Sequence, residues 1–168
     1  MSHPIPGTEP GAPLPITPER MEELALDYAA GKNACSAAGA LAHCADDFVF
    51  DVATEPVAHV VGKAAVATHL EALWAAFPDL YSRVDRQVVG PTGLVAIGAL
   101  SGTMRGPFLG LPPTGRSFEV SLVSAFEYTG DRIAHETNCV DMLALLAQLE
   151  LPADAVAQVI AGLRGDFA

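Results

Sequence analysis

The clearest structural signal in this chain is an alternation over residues 118–128 of apolar side chains with mostly polar or small ones. A period of two is typical of a β-strand with one buried face. The buried face would carry Phe118, Val120, Leu122, Ser124, Phe126 and Tyr128. The short turn Thr129-Gly130-Asp131 predicts a hairpin with a next strand over residues 132–140. Further strands are predicted over residues 81–89 and 94–104, which makes a run of antiparallel strands.

Helical patterns precede these strands. Thr17 and Pro18 predict the start of a helix, because threonine caps helices and proline suits the first helical position. The apolar stripe of this helix comprises Met21, Leu24, Ala25 and Tyr28. We expect a short second helix over residues 37–45 and a strand over residues 48–52.

A further helix is predicted between Gly62 and Pro78, with one apolar face that carries Val66, His69, Leu70, Leu73 and Phe77. After the strands, apolar stripes predict a helix over residues 142–149 and an extra C-terminal helix over residues 153–163. Helices followed by a run of strands are typical of an α+β fold. We expect a cone-shaped, strongly curved antiparallel sheet, wrapped by the N-terminal helices around a deep apolar pocket.

The composition fits one domain. The chain has 168 residues, of which 51% are hydrophobic, and this is sufficient for a single core. Residues 1–16 are rich in proline and glycine and are predicted to form a disordered tail, so the domain would span residues 17–168. The cysteines follow neither a disulfide nor a zinc pattern; they are Cys35, Cys44 and Cys139.

Charge and motifs limit the partners. A net charge of -11 disfavours nucleic acid and anionic lipid surfaces, because binding to them requires basic residues. No apolar run is long enough to span a bilayer and no secretion signal is visible, so we expect a cytoplasmic protein. The histidines lack metal-binding spacings, and neither nucleotide-binding pattern occurs. No metal or cofactor is therefore predicted.

The loop between two predicted strands carries a family resemblance. It reads Gly-Thr-Met-Arg-Gly-Pro-Phe-Leu-Gly-Leu-Pro-Pro-Thr-Gly-Arg over residues 102–116. From Phe77-Pro78-Asp79-Leu80 to Leu149 the chain resembles the SnoaL-like polyketide cyclase family, part of the nuclear-transport-factor-two-like group of cone-shaped pocket proteins. The usual family loop has histidine where this chain has Met104. The resemblance implies the curved-sheet fold and a pocket for small molecules.

Asp141 is the leading catalytic candidate that the resemblance implies. In the family an aspartate lies eight residues after the first isoleucine of the strand, and Ile133 and Asp141 keep this spacing. A carboxylate in an apolar pocket could act as a general acid and base, because burial raises its pKa toward neutral pH. Asp141 also precedes a predicted helix and is a good N-cap residue. The two roles are compatible.

Tyr28 is a second candidate. The segment over residues 27–47 resembles the ketosteroid isomerase branch of the same superfold, with matches at Tyr28, Asn33 and Ala45-Asp46-Asp47. In that branch the tyrosine donates a hydrogen bond to an enolate oxygen. Tyr28 also belongs to an apolar stripe, where an aromatic residue is more often part of the core.

At two other functional positions, this chain does not clearly match the ketosteroid isomerase branch. Ser124 stands where that branch has its second oxyanion donor, an aspartate, and the general base would fall at Asp51 or Val52. The Arg-x-Asp pair of limonene-epoxide hydrolases is also missing, since the corresponding residues are Leu122 and Ser124.

His135 is the third catalytic candidate. It lies where the family usually has Glu-His-Trp, and this chain has His-Glu-Thr. A histidine there could orient substrate or transfer a proton, although a single histidine is more often structural. The residues expected to contact substrate are Ser124, Trp74, Met104, Asp51, Phe126 and Asn138.

We therefore expect a cofactor-independent enzyme that cyclises a hydrophobic, carbonyl-rich substrate such as a polyketide. Asp141 would remove a proton next to a carbonyl, and Tyr28, Ser124 or a water would bind the enolate oxygen. The alternatives are an isomerase or hydratase that uses the same base, and a non-catalytic small-molecule binding protein. A homodimer is also expected, through the outer face of the sheet and the extra C-terminal helix.

Overall fold

A computed structural model of the chain describes residues 16–53, 59–91, 93–152, 154 and 157. Its helices and strands occur in the order α1 Pro18–Asn33, α2 Ala37–Ala40, β1 Cys44–Val52, β2 His59–Val61, α3 Lys63–Ala76, β3 Tyr81–Val89, β4 Gly93–Thr103, β5 Ser117–Thr129, β6 Arg132–Val140 and α4 Met142–Gln148. The α+β fold predicted from the sequence is thereby confirmed.

The strands form an open six-stranded sheet in the order β2-β1-β6-β5-β4-β3. Strands β3 to β6 pair antiparallel with their sequence neighbours, as predicted. The pairing of β1 with β6 is parallel, which the prediction of an antiparallel sheet did not include. A tight turn forces antiparallel pairing, whereas β1 and β6 are separated by most of the domain. Register shifts leave unpaired residues in β1, β3 and β6, and such bulges increase the local bend and twist of a sheet.

The first helix begins as the sequence predicts. The Thr17 hydroxyl accepts a hydrogen bond from the Arg20 backbone N–H, and Pro18 occupies the first helical position. Its buried residues are the predicted stripe Met21, Leu24, Ala25 and Tyr28. They pack on the concave face of the sheet in a core that also includes Phe48, Val66 and Phe126.

Some boundaries differ from the prediction. The short second helix ends at Ala40, because β1 already begins at Cys44, and β2 was not predicted at all. A three-residue strand is too short to show a period of two. The predicted tail lies outside the described residues except for Ile16, which is buried in the core. The extra helix predicted over residues 153–163 also falls almost entirely outside them.

Of the helices in the described part of the chain, none combines the length and apolar character that a membrane span requires.

Candidate functional site

A cavity of about 220 Å³ lies between α3, the concave face of the sheet and the start of α4. Its wall is mainly apolar and includes Phe50, Leu70, Leu73, Phe77, Leu122 and Leu145. The polar residues in the wall are Lys32, Asn33, His69, Ser82 and Asn138. Among the described residues, no aspartate or glutamate lines this cavity.

Helix α3 contributes the only titratable imidazole that lines the cavity in the described ranges, that of His69. The centre of its ring lies 5.2 Å from that of Phe50, and no described residue makes a hydrogen bond to the imidazole. Burial lowers the pKa of His69 below the ordinary value of 6.5, because a charged imidazolium loses its hydration. His69 is therefore a neutral imidazole at pH 7, which is able to accept a proton.

The sequence placed His69 on the correct helix face but did not identify it as a site residue. The signal available was a histidine within an otherwise apolar stripe. Such a residue must be satisfied by a partner or face a cavity, and only the three-dimensional packing distinguishes the two.

Trp74 also lies on α3 and lines the cavity, and its contact with substrate stays a prediction. It is the single tryptophan of the chain. Its indole nitrogen is the one buried side-chain nitrogen or oxygen in the described ranges without a hydrogen-bond partner. An unpaired buried donor costs about 1–3 kcal/mol, so this nitrogen is a position where an oxygen acceptor would be favourable.

Asn138 on β6, a second predicted substrate-contacting residue, also lines the cavity. The Ser124 hydroxyl on the neighbouring strand donates to its Oδ1 atom at 2.5 Å, and both side chains are buried. This bond fixes the orientation of the amide. The amide nitrogen of Asn138 makes no hydrogen bond to any described residue, which leaves its N–H groups available to a ligand in the cavity.

A buried charged network lies behind the cavity wall. The Tyr28 hydroxyl donates to Oε2 of Glu136 at 2.7 Å, and the Lys32 ammonium donates to Oε1 at 3.0 Å. Glu136 has no exposed surface. Burial and the adjacent carboxylate raise the pKa of Tyr28 well above 10.0, so the phenol remains a donor.

Neither Glu136 nor Lys32 was singled out from the sequence as a site residue. Alternation along β6 places Glu136 on the same face as Asn138, and an acidic residue on a buried face requires a basic partner. Tyr28, Ser124 and Phe126 line a second, smaller cavity of about 20 Å³ beside this network rather than the large cavity.

Asp141 lies outside both cavities. Its side chain is exposed, and Oδ1 accepts a hydrogen bond of 3.0 Å from the backbone N–H of Ala144. It is therefore the N-cap of α4, the structural role that its position also predicted. Its neighbours Val140 and Met142 do line the large cavity.

His135 and Asp51 contact each other on the opposite face of the sheet. His135 Nε2 lies 2.6 Å from Asp51 Oδ2, and His59 Nδ1 lies 2.6 Å from the other oxygen of the same carboxylate. Strand alternation places Phe50 and Asn138 toward the cavity and these polar residues away from it. Neither predicted residue lines the large cavity.

Met104 is fully buried in a second apolar cluster with Phe77 and Phe118, and it does not line the cavity. The loop that contains Met104 contributes two other residues to the cavity wall, Phe108 and Leu109. The loop is fastened by Asp79, whose carboxylate accepts hydrogen bonds of 2.7 Å from the backbone N–H and the hydroxyl of Thr103.

Within the described ranges, the His, Cys, Asp and Glu side chains form no cluster suited to a metal ion. The prediction that the protein needs no metal or cofactor stays a prediction.

Known proteins share this architecture. The SnoaL-like polyketide cyclase family matches residues 22–149. AclR, a candidate hydroxylase from Streptomyces galilaeus, is 25% identical, with 80% of this chain and 98% of AclR covered and a TM-score of 0.67. TsrD from Streptomyces laurentii is also 25% identical, with 80% and 97% covered and a TM-score of 0.69. A candidate SnoaL-like polyketide cyclase from a Jannaschia species is 21% identical, with 82% and 97% covered and a TM-score of 0.73. No curated protein sequence matches the chain significantly.

The fold and its cavity thus define a protein of the nuclear-transport-factor-two-like class. Within that class, the chain belongs to the SnoaL-like polyketide cyclase family. The family and the structural neighbours support a function of the cyclase or isomerase type.

Proposed function

We propose that the protein is a cofactor-independent cyclase or isomerase that removes a proton next to a carbonyl group of a hydrophobic, carbonyl-rich substrate. The observation that carries this proposal is a neutral imidazole, His69, in the wall of an otherwise largely apolar cavity. A neutral histidine in hydrogen-bond reach of a substrate C–H is a typical general base.

The enolate oxygen formed by proton removal would be bound by the amide N–H groups of Asn138. Ser124 holds this amide in place through its hydrogen bond to Oδ1. Donors that are already oriented stabilise developing negative charge without reorganisation, and this effect is large where water is excluded. Asn138 thus takes the role that the isomerase resemblance suggested for Tyr28 or Ser124, with Ser124 as the residue that positions it.

Ring closure then requires no further group. The enolate carbon attacks a second carbonyl carbon of the same molecule, and the proton held by His69 passes to the alkoxide oxygen that results. An apolar cavity that folds the substrate brings the two carbons together, and this orientation contributes up to about 7–11 kcal/mol in favourable systems.

Asp141 is the alternative base, which the family spacing favours. Its exposed carboxylate already accepts a hydrogen bond from Ala144, so we assign the proton transfer to His69. The two assignments are separated by the variants His69→Gln and Asp141→Asn.

Exchange of α-protons tests the reaction without knowledge of the natural product. 2-Tetralone, a bicyclic ketone, is incubated with the protein in D₂O, and loss of its α-proton signal is followed by NMR. We expect exchange faster than in buffer, reduced about 10²-fold or more by His69→Gln and retained in Asp141→Asn. If His69→Gln retains the exchange and Asp141→Asn loses it, Asp141 is the base instead.

A non-catalytic binding protein is the second candidate function. It is favoured by the lack of any carboxylate among the described residues of the cavity wall. If 2-tetralone quenches Trp74 fluorescence but its α-protons exchange no faster than in buffer, the catalytic proposal is wrong and the binding function is preferred.

A further inference from the structure

The Lys32 side chain connects the buried network to the large cavity. Lys32 lies in the last turn of α1 and lines both cavities, whereas its partners Glu136 and Tyr28 line only the small one. Its side chain keeps 14% of its surface exposed, and the Glu136 side chain keeps none. Of the two charged residues in this ion pair, only Lys32 lines the large cavity.

The two partners of this ion pair differ in how many of their hydrogen-bonding positions are occupied. Both carboxylate oxygens of Glu136 are occupied, one by Lys32 and the other by Tyr28. The Lys32 ammonium has three N–H donors, and within the described ranges it makes one hydrogen bond, to Glu136. The nitrogen also lies 4.5 Å from the centre of the Tyr28 ring, which stabilises the charge but accepts no directed bond.

The remaining donors therefore lack a fixed acceptor among the described residues. No aspartate or glutamate among the described residues lines the cavity, so no protein anion is available there to pair with the ammonium. Buried charges are stable only when paired and hydrogen-bonded. A ligand oxygen with a negative charge would supply the missing acceptor, and an apolar body would fill the rest of the wall.

We propose that the cavity binds apolar organic anions, with a carboxylate or phenolate oxygen of the ligand on the Lys32 ammonium and the hydrocarbon part against Trp74 and Phe77. Glu136 and Tyr28 serve as positioning residues, because they hold the ammonium at the wall. Because this ligand would occupy the cavity in which we place the catalytic reaction, the proposal rests on the proposed function.

Binding of two matched probes tests this assignment. 2-Naphthoate is an anion at pH 7.5, and 2-naphthamide is its neutral counterpart of nearly the same shape. Fluorescence of Trp74, the only tryptophan, reports binding directly, and calorimetry confirms the affinity. We expect 2-naphthoate to bind at least about tenfold more tightly than 2-naphthamide to the full-length protein.

Variants of the ion pair test whether the Lys32 charge causes the preference for the anionic probe. Lys32→Met leaves Glu136 buried without its cation and could impair folding. The double variant Lys32→Met/Glu136→Gln removes both charges, and we expect it to lose the preference for 2-naphthoate while it retains 2-naphthamide binding. Lys63→Met is the control, because Lys63 is the only other lysine and does not line the cavity. It should leave both affinities unchanged.

Glu136→Gln alone gives the opposite expectation. It removes the internal counter-ion of Lys32, so the ligand becomes the only anion near the ammonium and 2-naphthoate should bind more tightly than to the unmodified protein. Equal affinity for the two probes, no binding of either probe, or an anion preference that survives in the double variant would overturn the proposal. Because binding is measured, these outcomes do not depend on whether α-proton exchange is observed.

Discussion

The hydroxyl of Tyr28 donates a hydrogen bond of 2.7 Å to the Glu136 carboxylate, which joins the C-terminal half of α1 to the middle of β6 in the core. A carboxylate without exposed surface is stable only if its oxygens are hydrogen-bonded. Tyr28 and Lys32 supply these bonds. The network thereby fixes the helix that carries Lys32 against the strand that carries Asn138.

We expect Tyr28→Phe to lower the free energy of unfolding by about 1.5–3 kcal/mol, the usual range for hydrogen bonds to charged groups. The phenyl ring keeps its edge-to-face contacts with Phe48 and Phe126, so the loss reports mainly the hydroxyl. Urea denaturation measures the change.

Tyr128→Phe is the matched control. The Tyr128 hydroxyl donates at 2.8 Å to the backbone oxygen of Met21, a neutral acceptor on the same helix. Loss of this bond should cost only about 1 kcal/mol. Equal losses in the two variants would contradict a charged network that stabilises the core.

A second prediction concerns the end of β6. Asp141→Asn should change the free energy of unfolding little, because asparagine retains a capping oxygen for the Ala144 backbone N–H. Asp141→Ala removes this oxygen and should cost about 1 kcal/mol. Thermal or urea denaturation of both variants distinguishes them. If both variants are as stable as the unmodified protein, the cap contributes nothing and the exposed carboxylate is free for another role.

The sequence predicted the elements better than their contacts. The period of two over β5 and the stripe of α1 were sufficient to place both elements, because each pattern is local. The parallel pairing of β1 with β6 joins segments far apart in the chain, and no local pattern specifies it. Strand β2 was missed for a different reason, because its three residues carry almost no periodic signal.

The candidate site, like the fold, could be predicted from the sequence only in part. Trp74 and Asn138 lie in the cavity wall, whereas His135 faces away from it, and alternation along β6 separates the last two without showing which face is inward. The spacing that selected Asp141 counts residues but does not show on which side of the strand end the side chain emerges. The pairing of Lys32 with Glu136 joins residues 104 positions apart, so only the folded structure reveals it.

A third prediction concerns the loop after β4. The backbone N–H groups of Arg105 and Gly106 both donate to the Ala76 oxygen, at 2.8 and 3.0 Å, so the loop lies directly on the end of α3. A Cβ atom at Gly106 would lie 2.2 Å from the Ala75 backbone oxygen. We expect Gly106→Ala to displace the loop and to lower the free energy of unfolding by about 1–3 kcal/mol.

Gly90→Ala is the control for the loop substitution, because the nearest atom to its added Cβ would be 3.6 Å away. It should be close to neutral in urea denaturation. Since Phe108 and Leu109 of the same loop line the cavity, Gly106→Ala should also weaken 2-naphthoate binding, and unchanged affinity would show that the loop does not shape the cavity.

A fourth prediction concerns the outer face of the sheet, where we expect a second copy of the chain to bind. Tyr81 and Val88 on the edge strand β3 are 51% and 54% exposed. Exposed apolar side chains on a sheet face favour association. Light scattering at micromolar concentration should give twice the chain mass of 17.4 kDa.

Val88→Lys should shift the mass toward that of a monomer, because a charge would be buried without a partner. Leu143→Lys is the control, since Leu143 is 83% exposed and belongs to α4 rather than to a strand of the sheet. A monomer in the unmodified protein would contradict the prediction.

The last prediction concerns His69, the half-buried histidine of the cavity wall. In the unfolded chain the pKa of His69 has its ordinary value of 6.5, and in the folded protein burial lowers it. As the pH falls through 6.5, the unfolded state therefore takes up a proton that the folded state does not bind. The free energy of unfolding decreases between pH 6.5 and the lowered pKa, by at most about 1.4 kcal/mol per pH unit for one proton. His69→Gln should remove this part of the slope in urea denaturation series from about pH 7.5 to pH 5, whereas His43→Gln, at an exposed position, should retain it. Identical slopes for His69→Gln and the unmodified protein would show that His69 is hydrated in the folded state, and an apolar cavity around a neutral base would then be the wrong description of the site.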